Sequence, residues 1–140
     1  FTGLKLHEDI RQKALRLKDY AIEERYLIHG DIGYNNTCGH EGKVTGIFDW
    51  AESSYGDFVW DIAWLMFWNA DALKSSIRFR EYYDSLASNE KPALNFENYD
   101  KRIEYYLLVI GYGSLCFFAK TENPDSYIYV INVLKNWNLL

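Results

Sequence analysis

The sequence predicts an α+β chain that is mostly helical and carries one small β-hairpin in its first third. Three observations lead there. Two short β-rich runs, 36–38 and 43–48, flank Gly39-His40-Glu41-Gly42, whose glycines tolerate positive φ and so read as a hairpin turn. Apolar residues recur at spacings of three and four through much of the rest, beginning with Ile10, Ala14, Leu17 and Ala21. Aromatic residues make up 18% of the 140 positions, a load that argues for a packed interior and against disorder. One domain accommodates a chain of this length, and no repeat, low-complexity tract or inner boundary divides it.

Taken in order, residues 6–24 read as a first helix. Tyr26, Leu27 and Ile28 form a short apolar strand that delivers the chain to His29, and the hairpin follows. After Ser53-Ser54-Tyr55-Gly56 the pattern is helical to the end. One helix starts at 57 or 58 and runs to about 68, with Asp57 placed to cap it. A second covers 72–87, and 88–95, with Pro92, is a loop. A long helix covers 96 to about 120, where Gly111 and Gly113 are placed to bend it. Asn123-Pro124-Asp125 opens the last helix, its proline suited to the first turn.

No continuous apolar run reaches the ~18 residues that span a bilayer, and no signal-like segment opens the chain, so no membrane partner is expected. The two cysteines, Cys38 and Cys116, are far apart and in no CxxC pair, which points to a reducing, cytoplasmic setting. A formal net charge of −5 argues against a nucleic-acid surface and is compatible with a cationic small-molecule substrate.

The residues that carry chemistry are concentrated between 29 and 50. His29-Gly30-Asp31-Ile32-Gly33-Tyr34-Asn35-Asn36 is followed by Ile47-Phe48-Asp49-Trp50. Asn36 enters the hairpin and Asp49 leaves it, so antiparallel pairing, with strands roughly 5 Å apart, brings the two together at a spacing suited to one shared cation. A phosphoryl-transfer site of the kinase type needs a carboxylate at the acceptor hydroxyl, and an amide and a carboxylate that hold Mg²⁺ against nucleotide phosphates. Alone, Asp31 would pass as a turn cap, Asn36 as a turn residue and Asp49 as a loop opener. Their joint spacing behind an apolar lead-in strand is what points to chemistry.

His29-Gly30-Asp31-x-x-x-x-Asn36 also matches the kinase catalytic-loop pattern, with Gly where protein kinases carry Arg, and Asp49-Trp50 stands in place of Asp-Phe-Gly. Downstream lies Tyr55-Gly56-Asp57-Phe58-Val59-Trp60-Asp61-Ile62-Ala63. Together these resemble the aminoglycoside phosphotransferase family, kinase-like enzymes that phosphorylate small-molecule hydroxyls. The text from Leu27 to Phe67-Trp68 is most similar to the hygromycin B phosphotransferase branch. The resemblance is strong over 26–68 and diffuse beyond.

That resemblance implies the C-terminal lobe of a protein-kinase-like fold, with ATP or GTP as phosphoryl donor and Mg²⁺ as cofactor. It implies that Asp31 is the catalytic residue, that Asn36 and Asp49 are metal ligands, and that His29 and Asp61 support the loop. Acceptor sites in the family tend to be lined with carboxylates, because aminoglycosides are polycations. Glu52, Asp57, Asp100 and Glu104 are the candidates here. Tyr105, Tyr106 and Tyr112 are candidates for a sugar pocket, although core packing accounts for most such tyrosines.

Only 25 residues precede Tyr26, and they read as one helix. The glycine loop, strand Lys and partner Glu of a nucleotide-binding lobe have no room there. The expectation is a C-terminal lobe whose N-terminal nucleotide lobe is absent, weak in nucleotide binding and nearly inactive alone, with a bared surface available for self-association. Choline, methylthioribose or homoserine kinases share the loop pattern and remain alternatives, as does a non-catalytic kinase-like binding module.

Overall fold

A computed structural model describes residues 2–69 and 79–140. In chain order the elements are α1 (Thr2–Leu17), β1 (Tyr26–Ile28), β2 (Thr37–His40), β3 (Lys43–Ile47), β4 (Ser54–Gly56), α2 (Val59–Trp68), α3 (Phe79–Ser85), α4 (Tyr99–Lys120) and α5 (Pro124–Asn136). Short 3₁₀ turns occupy Lys18–Tyr20 and Tyr34–Asn36. The fold is mostly helical with two small sheets, as the sequence predicts.

Helix α4 is the hub, packing against α1, α2 and α5. It can do so because Ile103, Leu107, Leu108, Ile110 and Leu115 bury apolar surface on several of its sides. Each neighbour contributes a stripe at helical spacing: Ile10 and Ala14 from α1, Val59, Ile62, Ala63 and Phe67 from α2, and Val130, Val133 and Leu134 from α5. Gly111 does not break α4. A Cβ there would lie 2.8 Å from Leu134 Cδ2, so the missing side chain is what lets α4 and α5 approach. Asn123 caps α5 by accepting the Ser126 N–H at 3.1 Å, with Pro124 in the first turn as expected.

The hairpin β2–β3 pairs Thr37 with Ile47 and His40 with Lys43, with a bulge at Cys38/Gly39. Its turn residues Glu41 and Gly42 both have positive φ, the signature of a two-residue hairpin loop. The second sheet was not anticipated. β4 pairs antiparallel with β1, Tyr26 opposite Gly56 and Ile28 opposite Ser54, and three residues were too few to show a strand pattern.

Several boundaries differ from expectation. α1 ends at Leu17 instead of 24, because the chain turns extended at Ala21 to reach β1. The long helix starts at Tyr99, not 96, because Asn98 sits at φ 50° and interrupts any earlier turn. The predicted helix over 72–87 appears as Phe79–Ser85, with 70–78 outside the described residues. Among the described residues, α4 is also long and apolar enough to cross a bilayer by length and composition. The expectation of no continuous apolar run of that length holds, because charged residues, glycines and a serine interrupt this helix, which is also the one packed on three sides in the core.

One buried ion pair fastens α4 to the segment that precedes α2. Arg102, with 0% exposure, donates from Nε to Asp57 Oδ2 at 2.8 Å and from Nη2 to Asp57 Oδ1. Its Nη1 donates to the carbonyls of Asn95 and Glu97 at 2.6 and 3.0 Å, satisfying the loop before α4. Tyr106 donates its hydroxyl to Asp57 Oδ2 at 3.1 Å. Burial first, then the Asp57 charge, raises that phenol well above its ordinary value, so it stays a donor.

Arg102→Met leaves the Asp57 carboxylate buried without its cation. A loss of about 3–5 kcal/mol is expected in urea unfolding; an unchanged midpoint would show that the pair does not hold the two segments together.

Candidate active site

The loop after β1 is built on a backbone that only glycine fits. Gly30 has φ 86°, and a Cβ there would lie 2.4 Å from the Glu52 carbonyl oxygen. That explains Gly at this position: the chain turns left-handed while pressed against the segment entering β4. The turn is then fastened from α2. Asp61 Oδ2 accepts the His29 N–H at 2.7 Å, and its Oδ1 accepts the Gly30 N–H at 2.9 Å. Trp60 Nε1 donates to the Gly30 carbonyl at 3.3 Å.

His29 is 2% exposed and joins the loop to the end of the hairpin. The Asp31 N–H donates to its Nδ1 at 3.3 Å. A backbone amide only donates, so Nδ1 accepts and the proton resides on Nε2. Nε2 then donates to the Phe48 carbonyl at 2.9 Å. The ring also packs on Trp50, centroids 4.7 Å apart. His29 thus fixes the distance between the Asp31 loop and the residues flanking Asp49, with no proton to spare for chemistry.

Asn36 is buried and turns its amide nitrogen onto Asp31, 2.7 Å from the backbone oxygen and 3.1 Å from Oδ2. This occupies one carboxylate oxygen of Asp31 and leaves the other free to accept a hydroxyl proton. The Asn36 side chain also carries an amide oxygen, a hard donor by its chemistry. Phe48 N–H donates to the Asn36 carbonyl at 3.1 Å, so Asp49 follows directly after a bond to Asn36. Asp49 is exposed, with φ 60°, a backbone state that Asp tolerates better than most residues. An amide oxygen and an exposed carboxylate suit Mg²⁺, which takes hard oxygen ligands and shares its sphere with phosphates and water.

Asp31 opens onto a cleft of about 700 Å³ whose walls include Glu52, Trp60, Trp64 and Phe117. Two further hollows, of about 430 and 490 Å³, adjoin it and share Trp64. Of the four acids expected to meet an acceptor, only Glu52 lies here. Asp57 is a correction: its carboxylate is 2% exposed and engaged by Arg102, Tyr106 and the Val59 N–H. Asp100 lies instead beside Arg80 and Asn98 at the start of α4. Glu104 is paired with Lys101 at 2.8 Å on the helix surface. The tyrosines are elsewhere too: Tyr106 braces Asp57, Tyr105 packs on Tyr106, and Tyr112 packs on His7. A separate apolar hollow of about 560 Å³ between α1 and α5 includes none of the loop residues.

Sequence reasoning missed Trp60, Trp64 and Phe117. A signal existed for the first two. Trp60, Trp64 and Trp68 recur every fourth residue and so share one face of α2, offset from the buried stripe. Phe117 carried no signal, because its place at the cleft depends on how α4 crosses α2.

A loop carboxylate braced from the following helix, above a hairpin that joins an amide to a second carboxylate, is the architecture of the kinase-like phosphotransferases. The profile of the APH phosphotransferase enzyme family matches residues 3–96, and the chain belongs to that family. Hygromycin-B 4-O-kinase of Escherichia coli is 39% identical over 46 residues, 33% of this chain and 14% of that protein. A thermostable mutant of aminoglycoside phosphotransferase APH(4)-Ia, in ternary complex with AMP-PNP and hygromycin B, aligns with 96% of this chain at TM-score 0.76 and 21% identity. A further crystal structure of APH(4)-Ia aligns with 92% at TM-score 0.72 and 21% identity. At that identity the structural likeness speaks for the fold. The chain spans 43% and 41% of those two proteins.

Gly30→Ala forces a side chain into the Glu52 backbone and strains φ, and a loss of about 1–3 kcal/mol or more is expected. Asp61→Ala should abolish hydrogen-exchange protection at the amides of residues 29 and 30 while α4 keeps its own. Retained protection at 29 and 30 would show that another group holds the loop.

Proposed function

We propose that this chain provides the acceptor- and metal-binding part of an O-phosphotransferase that transfers phosphate from ATP or GTP to a hydroxyl of an aminoglycoside-type antibiotic. The observation that carries the reading is the contact of Asn36 with Asp31, made at the end of the hairpin whose other end carries Asp49. A hydrogen bond, in addition to the sequence spacing, supports pairing Asn36 with Asp31, and the hairpin carries Asp49 at its far end. The named relatives, an antibiotic kinase and a phosphotransferase crystallised with nucleotide and hygromycin B, supply the substrate class.

Asn36 Oδ1 and the Asp49 carboxylate would hold Mg²⁺, which neutralises charge on the donor phosphates. Asp31 accepts the acceptor hydroxyl through the oxygen that Asn36 leaves free. In a loose transition state the attacking oxygen gains little charge early, so Asp31 chiefly orients the hydroxyl and receives its proton late. His29 and Asp61 act by holding this geometry, since positioning supplies much of the barrier reduction in such reactions.

The groups that clamp the nucleotide are, on this reading, supplied by a lobe outside these 140 residues. The support is the surface of the strands. Leu27 and Tyr55 of the β1–β4 sheet are 59% and 76% exposed, and Val44 of β3 is 67% exposed. Apolar side chains facing outward next to a catalytic loop suit a covering lobe, and without one they favour self-association. The exposed, unpaired Cys38 and Cys116 fit a reducing cytoplasmic setting.

Mn²⁺ as a paramagnetic substitute should broaden the NMR signals of residues 31, 36 and 49 first, and Asp49→Ala should remove the effect. Broadening confined to other acidic residues would refute the metal site. With the covering lobe supplied, Asp31→Asn should slow phosphorylation of hygromycin B by about 10²-fold or more. Rapid ATP- or GTP-dependent turnover by the 140-residue chain alone would refute the need for that lobe.

A further inference from the structure

We infer that Cys116 is a covalent modification site for neutral, apolar α,β-unsaturated carbonyl compounds: His7 takes the thiol proton, and the apolar hollow between α1 and α5 seats the compound's hydrocarbon part. The site lies outside the Asp31 loop and its cleft, and it does not depend on the phosphotransferase reading.

Two sets of observations carry it. The first is a nucleophile beside a base. Tyr112 and Cys116 stand four residues apart on α4 and so share one face of it. His7 of α1 meets that face, with its Nδ1 3.7 Å from the Cys116 Sγ, within hydrogen-bonding reach for sulfur. The Nε2 of the same ring is 2.9 Å from the Tyr127 hydroxyl of α5. A neutral imidazole carries one proton, so when Nδ1 accepts from the thiol, Nε2 donates to the Tyr127 oxygen. Cys116, His7 and Tyr127 then stand as nucleophile, base and the group that orients the base. Burial first, then the Cys116 charge, raises the Tyr127 phenol above its ordinary value, so it keeps its own proton. Tyr112 is raised as well, by the Cys116 charge and by a hydrogen bond to that sulfur, which sets an O–H donor beside the thiolate. The thiol itself is exposed and in no disulfide, so a reagent can reach it.

The second is the hollow of about 560 Å³, whose wall includes the same imidazole. Leu4, Phe118, Ala119, Pro124 and Ile128 make up most of the rest. Leu4 and Ile128 are 74% and 54% exposed, apolar surface that an apolar ligand would cover. Among the described lining residues the charged side chain is Glu122, and none is Lys or Arg. An anionic reagent is therefore disfavoured there, and a neutral one is favoured.

The step is an addition. The thiol proton passes to His7 Nδ1, and the sulfur bonds to the β-carbon of the unsaturated compound. The C=C π pair moves toward the carbonyl oxygen. The resulting enolate then takes the proton back at its α-carbon from the imidazolium. No group leaves, and no oxidant or reductant is consumed.

The test labels the full 140-residue chain at neutral pH with two probes, acrylamide, which is small and polar, and N-phenylmaleimide, which carries an apolar ring. Peptide mass spectrometry reads the rate at each cysteine, and Cys38, also exposed but on β2, is the internal standard. Cys116 should react about tenfold faster than Cys38 with acrylamide, and N-phenylmaleimide should widen the ratio by about a further tenfold. His7→Gln should bring Cys116 down to the Cys38 rate with acrylamide. Ala119→Phe, which fills the hollow and leaves the thiol–imidazole pair in place, should remove only the widening. In urea the two cysteines should react alike. Circular dichroism establishes that each variant is folded. If His7→Gln is not, Tyr127→Phe keeps the ring and removes the group that orients it, and a several-fold fall in the Cys116 rate is expected.

Equal rates at the two cysteines in the folded chain, or a Cys116 rate unmoved by a folded His7→Gln, would overturn the assignment of nucleophile and base. An equal ratio with both probes, or a widening that survives Ala119→Phe, would overturn the role of the hollow.

Discussion

A single carboxylate, that of Asp61, sets the geometry on which the site depends. It lies in the first turn of α2 and takes two adjacent amide protons, those of His29 and Gly30, from a loop that would otherwise leave them unpaired. Charge-assisted hydrogen bonds to backbone are among the stronger ones available, and a pair on neighbouring residues fixes direction as well as distance. Because Gly30 is held at a left-handed φ, Asp31 is presented to the cleft instead of returning into a strand. His29 then carries the same constraint onward to Phe48, and so to Asp49.

Asp61 performs this role only if α2 is itself held in place. The buried Arg102–Asp57 pair does that, linking the residues just before α2 to the middle of the molecule through α4. Tyr106 joins the network at Asp57 and packs edge-on against Trp60, whose N–H reaches the Gly30 carbonyl. A continuous set of contacts therefore runs from the core helix to the Asp31 loop. A buried ion pair of this kind contributes little net stability compared with apolar packing, but losing one partner is costly, which makes it a device for position.

The surroundings of the Asp31 loop differ from the expectation. Acidic residues near the loop in sequence were expected to face the acceptor, yet Asp57 turned inward, Glu104 paired with Lys101 on the surface and Asp100 lies at the start of α4. What replaced them is aromatic. Trp60 and Trp64 line the approach to Asp31, and Glu52 stands beside it because the chain entering β4 must pass under Gly30.

The sequence by itself determined the local parts. Residues 29–36 and 47–50, the hairpin between them, the apolar stripes of the helices and the Asn123-Pro124 start of α5 were all legible, because each depends on near neighbours in the chain. So was a mostly helical α+β fold with one hairpin. Only the tertiary structure decided the partners: that Arg102 claims Asp57, that β4 completes a sheet with β1, that Asp61 holds the loop through two amides, and that Phe117 reaches the cleft. Those pairings span 31 to 45 residues for the hydrogen bonds. They arise from burial and helix crossing, which no local pattern of residue types encodes.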